Sequence, residues 1–154
     1  MPSQEFKKAF QVLSSRCSKK ETTANEALIH ASKFKLKFVE KNQLINKLKK
    51  DKFIDHQRYA SAFVNDRFKF YKWGKQKIKY HLLQKGIEQN LIDNALESID
   101  KENYNMVITE EAMKRFEISG KKNDFVSKQK ICKYLNQKGF EPELVFEIVE
   151  ALEA

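Results

Sequence analysis

Arg67, Lys69, Lys72, Lys75, Lys77 and Lys79 interleave with Phe68, Phe70, Tyr71 and Trp73 in the stretch RFKFYKWGKQKIK, residues 67–79. Cations neutralise phosphates and aromatic faces stack on bases, so this pattern is the chemistry of polyanion binding. Six cations in 13 residues exceed what solubility needs. Arg67, Lys69, Lys72, Lys75 and Lys77, with Arg58 upstream, therefore read as a binding face. The rings read differently: Phe63, Phe70 and Trp73 are expected to fill a junction between helical units while the lysine stems run over them into water. Stacking on bases is the alternative for the same rings.

The remaining reactive side chains form no catalytic constellation. His30, His56 and His81 are scattered, and Asp55-His56 reads as a helix cap followed by an exposed first-turn residue rather than an acid/base pair. Glu110, Glu111, Glu141 and Glu143 fall in first turns, where acids complement the helix dipole. Cys17 and Cys132 lie in no CxxC or Cys/His cluster and read as free thiols of a reducing cytosol. No phosphate-cradling glycine pattern and no metal-ligand spacing is present, so the chain reads as a non-enzyme without cofactor or metal.

The elements that must position the cations are helical. Phe6, Ala9, Phe10 and Leu13 mark a first helix from Ser3 to about residue 18. Thr22 or Thr23 with Glu26 resembles a capping box, and Ala27, Leu28, Ala31 and Phe34 belong to the helix beyond it. Leu44, Ile45 and Leu48 mark a third helix. Asp55 is the N-cap of a helix carrying Tyr59, Ala60, Phe63, Val64 and Arg67 to about Tyr71, which Trp73-Gly74 stops. Ile78 and Leu82 face inward on the next helix, with Lys75, Lys77 and Lys79 outward. Gly86 is expected in the left-handed conformation after that helix, and Ile87 packs back upon it. Leu91, Ile92, Ala95, Leu96 and Ile99 are the inward stripe of the helix that follows.

Much of this recurs 53 residues later. Lys75, Gln76, Lys77, Ile78, Leu82, Gln84, Lys85, Gly86, Glu88 and Leu91 are matched by Lys128, Gln129, Lys130, Ile131, Leu135, Gln137, Lys138, Gly139, Glu141 and Leu144. Pro142, opposite Gln89, marks the first helical position in both copies. In the same register Phe63 maps to Phe116 and Ala60 to Met113. Matching stops and stripes indicate tandem three-helix repeats: a degenerate one over 1–51, a central one over 52–100 and a third over 101–154. Three such helices bury little surface alone, so neighbouring repeats should stack into an elongated, curved all-α array of about nine helices. Only the central copy carries the full cationic run, because Glu111 stands opposite Arg58 and Gly120 opposite Arg67.

Composition agrees. The chain is 33% charged with a net charge of +9, and four glycines and two prolines are few for a β-sandwich. Residues 1–50 carry 12 basic and 4 acidic side chains, whereas residues 101–154 carry 9 and 10. A basic N-terminal half raises the rate of encounter with nucleic acid or an acidic protein surface. No apolar run approaches membrane-spanning length, which points to the cytoplasm.

The stretches FIDHQRYASAFVNDR and GKQKIKYHLLQKGIEQNLIDNAL resemble the RecX family of regulators of the RecA recombinase. The similarity lies in an acidic cap, Arg-aromatic-Ala, Arg, Gly, Lys-Ile, Leu, Lys-Gly-Ile and Ile-x-x-Ala-Leu. It is strong over 53–99, clear over 128–152 and loose over 1–50. His56 and Gln57 stand where the family has acids, Tyr59 where it has Phe, and FKFYKW is more aromatic than the common pattern. The resemblance implies tandem three-helix repeats in a curved rod and a regulator that binds RecA filaments on single-stranded DNA and inhibits them; the chain is expected to act as a monomer. By that resemblance the cations above would face the filament groove and the DNA phosphates.

Overall fold

The computed structural model describes residues 2–152. Among them are nine helices and no strand: α1 Gln4–Lys19, α2 Ala24–Ala31, α3 Phe38–Lys50, α4 His56–Lys69, α5 Lys75–Gln84, α6 Gln89–Glu97, α7 Lys101–Ile118, α8 Phe125–Gln137 and α9 Pro142–Glu150. They form two compact units. One comprises Met1–Ala60 and Leu82–Ile92, the other Ser61–His81 and Asp93–Ala154, so the boundary falls inside α4, α5 and α6.

In the first unit α1, α2 and α3 pack on one another around Phe6, Ala9, Leu13, Cys17, Ala27, Ala31, Leu44, Ile45, Leu48 and Ile54. The stripes expected on these three helices are thus the core. Ser3 starts α1 by accepting the Phe6 amide at 3.1 Å, and Thr23 rather than Thr22 starts α2, accepting the Glu26 amide at 3.1 Å. Each satisfies an amide that has no partner inside the helix. Phe34 lies beyond the end of α2 but still packs on the core. Asp55 caps α4, its Oδ1 accepting the Arg58 amide at 3.1 Å.

In the second unit α7, α8 and α9 pack on one another. Tyr104, Ile108, Ala112 and Phe116 of α7, Ile131 and Leu135 of α8, Val145 and Val149 of α9, and Phe140 between them are buried. The 53-residue register holds for α8 and α9, where Pro142 opens α9 as Gln89 opens α6. In α7 one pair agrees and one does not: Phe63 and Phe116 are both buried, whereas Met113, opposite buried Ala60, is 38% exposed and Ala112 is buried instead.

Both lysine-glycine stops close as expected. Gly86 has φ +81°, its amide donates to Leu83 O at 3.0 Å, and the Ile87 amide reaches Leu82 O at 3.1 Å. Gly139, φ +97°, repeats this with Asn136 O at 3.0 Å and Phe140 to Leu135 O at 3.2 Å. The stop after α4 is built otherwise. Its left-handed residue is Lys72, φ 56°, whose amide donates to Phe68 O at 3.2 Å. Gly74 is needed for closeness: a Cβ there would lie 2.2 Å from the backbone of Gly139 and Phe140.

Candidate functional site

The last turn of α4 and the loop to α5 form the site. The left-handed turn at Lys72 sends the chain back so that the Trp73 amide donates to Arg67 O at 3.0 Å. Trp73 then meets Phe63 edge-on at 6.3 Å between centroids and lies 4.7 Å from the His81 ring. Around this aromatic group the cations take fixed places. The Arg67 guanidinium lies 4.6 Å from the Phe63 centroid, 4.9 Å from Tyr71 and 5.4 Å from Trp73, and it also pairs with Asp66. Lys77 Nζ sits 4.4 Å from the Trp73 centroid, Lys75 Nζ 4.9 Å from Tyr104 and Lys69 Nζ 5.6 Å from Phe70. Lys72 Nζ donates to Lys69 O at 2.9 Å, at the negative end of α4.

The ring contacts hold Lys69, Lys75 and Lys77 without cancelling their charge. A cation over a ring gains about 0.5–1 kcal/mol at an exposed site and keeps its full positive charge. Two members of the run also meet a carboxylate, Arg67 at Asp66 and Lys79 at Asp93, the latter at 3.1 Å. Lys75, Lys77 and Lys79, expected to point outward, are each half-buried.

Arg67, Lys69, Lys72, Lys75 and Lys77 all belong to the second unit, and Arg58 belongs to the first. Arg58 is matched internally: Nε binds the Glu21 carboxylate, and both η nitrogens lie 3.3 Å from Lys52 O. The hydrogen bond to Glu21 raises the guanidinium pKa further, so Arg58 stays charged but is shared with its own unit. Of the rings expected to fill a junction, Phe63 is buried and Trp73 half-buried, whereas Phe70 is 68% exposed. Phe70 therefore fills nothing. Phe70 beside Lys69 and Tyr71, 53% exposed, beside Arg67 are thus two rings open to solvent.

Ile78, Leu82, Ile131 and Leu135 are buried, and Gly86 and Gly139 close their helices.

Two pairs escaped the sequence reading. His56 is buried rather than exposed: Nδ1 donates to Glu88 at 2.9 Å, and Nε2 accepts the Ala24 amide at 3.0 Å. Partial burial works to raise the Glu88 carboxyl, but its own backbone amide and the His56 bond hold it below its ordinary range. The Tyr104 hydroxyl donates to Glu141 and accepts the Lys75 amide at 3.0 Å. Burial, then the Glu141 carboxylate, pushes the phenol far above its ordinary value, so it remains a donor. The recurrence of Glu88 as Glu141 is the available signal; the sequence reads Glu141 only as a partner of the helix dipole and gives Glu88 no role beyond the repeat. No group of three or more His, Cys, Asp or Glu among the described residues is placed to hold a metal ion. No helix among them is long and apolar enough to cross a membrane.

Comparison with known proteins gives a consistent result. A model of the second three-helix domain of RecX matches residues 55–96, and one of the third matches 107–149; between them they cover more than half of the chain. The protein named "Regulatory protein RecX" from Clostridium beijerinckii is 35% identical over 127 residues, 79% of this chain and 59% of that protein. Its namesake from Clostridium acetobutylicum is 33% identical, with 58% of its length covered, so the chain spans less than two thirds of these relatives. The namesake from Chlorobium phaeobacteroides is 26% identical over 99% of this chain and 98% of its own. The crystal structure of RecX from Lactobacillus salivarius superposes with a TM-score of 0.87 at 22% identity, covering 96% of both chains. That likeness shows the fold, an all-α tandem helical repeat.

Proposed function

The chain belongs to the RecX family, and from that membership we propose that it is a regulatory protein that binds RecA filaments on single-stranded DNA and inhibits the recombinase and coprotease activities of RecA. The observation that carries the reading is the two RecX domain matches in series, 55–96 and 107–149, with the whole cationic run inside the first. Arg67, Lys69, Lys72, Lys75 and Lys77 face DNA phosphates and the acidic lining of the filament groove in this proposal, and Arg58 adds the charge that Glu21 leaves it. Ordered cations give a salt-sensitive attraction and fast encounter, while a repeat framework with boundaries near residues 51 and 100 fixes their spacing. The protein works as a cytoplasmic monomer without catalysis or cofactor.

The test is RecA ATPase on single-stranded DNA with added protein: inhibition at micromolar concentration is expected, and its absence overturns the proposal. The exposed Phe70 beside Lys69 and Tyr71 beside Arg67 favour a second reading, direct binding of nucleic acid without RecA. Retention on RecA-coated DNA well above that on bare DNA selects the regulator. Equal retention selects the second reading.

A further inference from the structure

Six residues, 32–37, connect α2 to α3 in the first unit, and their burial alternates. Phe34 and Leu36 pack on the core, whereas Lys33, Lys35 and Lys37 are exposed. The backbone is pinned as well: the Phe34 amide donates to Ala31 O and the Leu36 amide to Phe34 O, both at 3.0 Å. Three ammonium groups therefore project from a fixed segment, and among the described residues none of them forms an ion pair. Lys33 Nζ lies 5.4 Å from the Phe34 centroid, which leaves its charge uncancelled. Glu40, the neighbouring acid, offsets Lys37 in part, but its oxygens are taken by Ser3 Oγ at 2.7 Å and by the Lys37 amide at 3.3 Å. At the end of the segment Phe38 is 78% exposed, an apolar ring with water on nearly all sides.

We infer that residues 33–38 are a second polyanion contact, in which Lys33, Lys35 and Lys37 take phosphates of a single strand and Phe38 stacks on a base. A row of cations outside any ion pair, ending in an open ring, is the pairing that suits single strands, because phosphates supply the charge and every base has a face. A lipid surface fits less well. Beyond Phe38 and Val39 the outer side of α3 is Asn42, Gln43, Asn46, Lys49 and Lys50, all exposed, so the helix has no second apolar face to insert. The regulator reading supplies the biological source of the strand; the contact itself is tested without RecA.

The test measures fluorescence anisotropy of a labelled oligo-dT against salt, for wild type, Lys33→Gln/Lys35→Gln/Lys37→Gln and Phe38→Ala. Each phosphate contact on a single strand contributes about 0.7 to the slope of log K against log salt, so the triple variant should lose about 2 from that slope. Phe38→Ala should weaken binding about fivefold or more at unchanged slope. All substituted side chains are exposed, and circular dichroism checks that the helices persist. An unchanged slope, no oligo-dT binding by the wild type at about 50 mM salt, or a loss confined to anionic vesicles overturns the inference. Failure to inhibit RecA ATPase, with oligo-dT binding intact, would instead overturn the regulator reading and leave this contact standing.

Discussion

His56 Nδ1 lies 2.9 Å from a Glu88 carboxylate oxygen, and the bond has a counterpart in the other unit between Tyr104 and Glu141. Each ring makes the same two connections. It accepts the first amide of an earlier helix, Ala24 of α2 or Lys75 of α5, and donates to the acid that precedes a later one, α6 or α9. Because Nε2 of His56 accepts from a backbone N–H, the proton must sit on Nδ1, and the imidazole is neutral in this arrangement. A joint is therefore repeated along the chain along with the helices, and a histidine serves in one copy where a tyrosine serves in the other.

The His56 joint makes the first unit sensitive to acid. Glu88 is held below its ordinary range in the folded protein, so its contribution is present above the unfolded carboxylate pKa of about 4.3 and fades as pH falls through the lower folded value. The Glu88 side chain is 49% exposed, so solvent screening keeps the effect modest. Urea midpoints measured between about pH 5 and pH 3 should fall less steeply for Glu88→Gln than for wild type.

Tyr104→Phe removes a hydroxyl that has a partner on each side. The Lys75 amide and the Glu141 carboxylate lose that partner, which should cost about 1–3 kcal/mol. Trp73 is the single tryptophan of the chain and lies in the same unit, so its fluorescence reports the loss directly during denaturation. An unchanged midpoint would show that water replaces the hydroxyl.

Gly139 and Gly120 separate two reasons for a glycine. Both have positive φ, +97° and +80°, but a Cβ on Gly139 would come within 2.6 Å of the Lys77 amide nitrogen whereas one on Gly120 meets nothing within 4 Å. Gly120→Ala should cost about 1–2 kcal/mol for the left-handed backbone alone. Gly139→Ala should exceed that by roughly 1–3 kcal/mol of crowding, read as the difference between the two thermal midpoints.

Charge reversal of Lys69, Lys72 and Lys75 together should abolish inhibition of RecA ATPase at wild-type concentrations while leaving the helices intact by circular dichroism. Arg58→Ala should behave in the opposite way. It removes the contacts to Glu21 and Lys52, lowers the stability of the first unit by up to about 1 kcal/mol, and leaves most of the inhibition in place.

The helices, their caps and their glycine stops were legible in the sequence. Thr23, Asp55, Gly86 and Pro142 act through hydrogen bonds and dihedrals set within four or five residues, and the inward stripes follow from a period of 3.6 residues. The RecX pattern was legible for the same reason, since it is written in caps, stops and stripes. The candidate site was legible as a run of residue types but not as an arrangement. Nothing near Phe70 in the chain says that its ring stays in water, and nothing near Arg58 names Glu21, which lies 37 residues away. His56 looked like an exposed first-turn residue because its two partners, Ala24 and Glu88, are each 32 residues distant. Gly74 looked like a helix stop because its real constraint, the backbone of Gly139 and Phe140, comes from the far end of another helix. Local hydrogen bonding thus determined the elements and their ends. Burial, ring joints and the matching of each cation were decided only when distant atoms were brought within a few ångströms, since packing and hydrogen bonding fall off over that range.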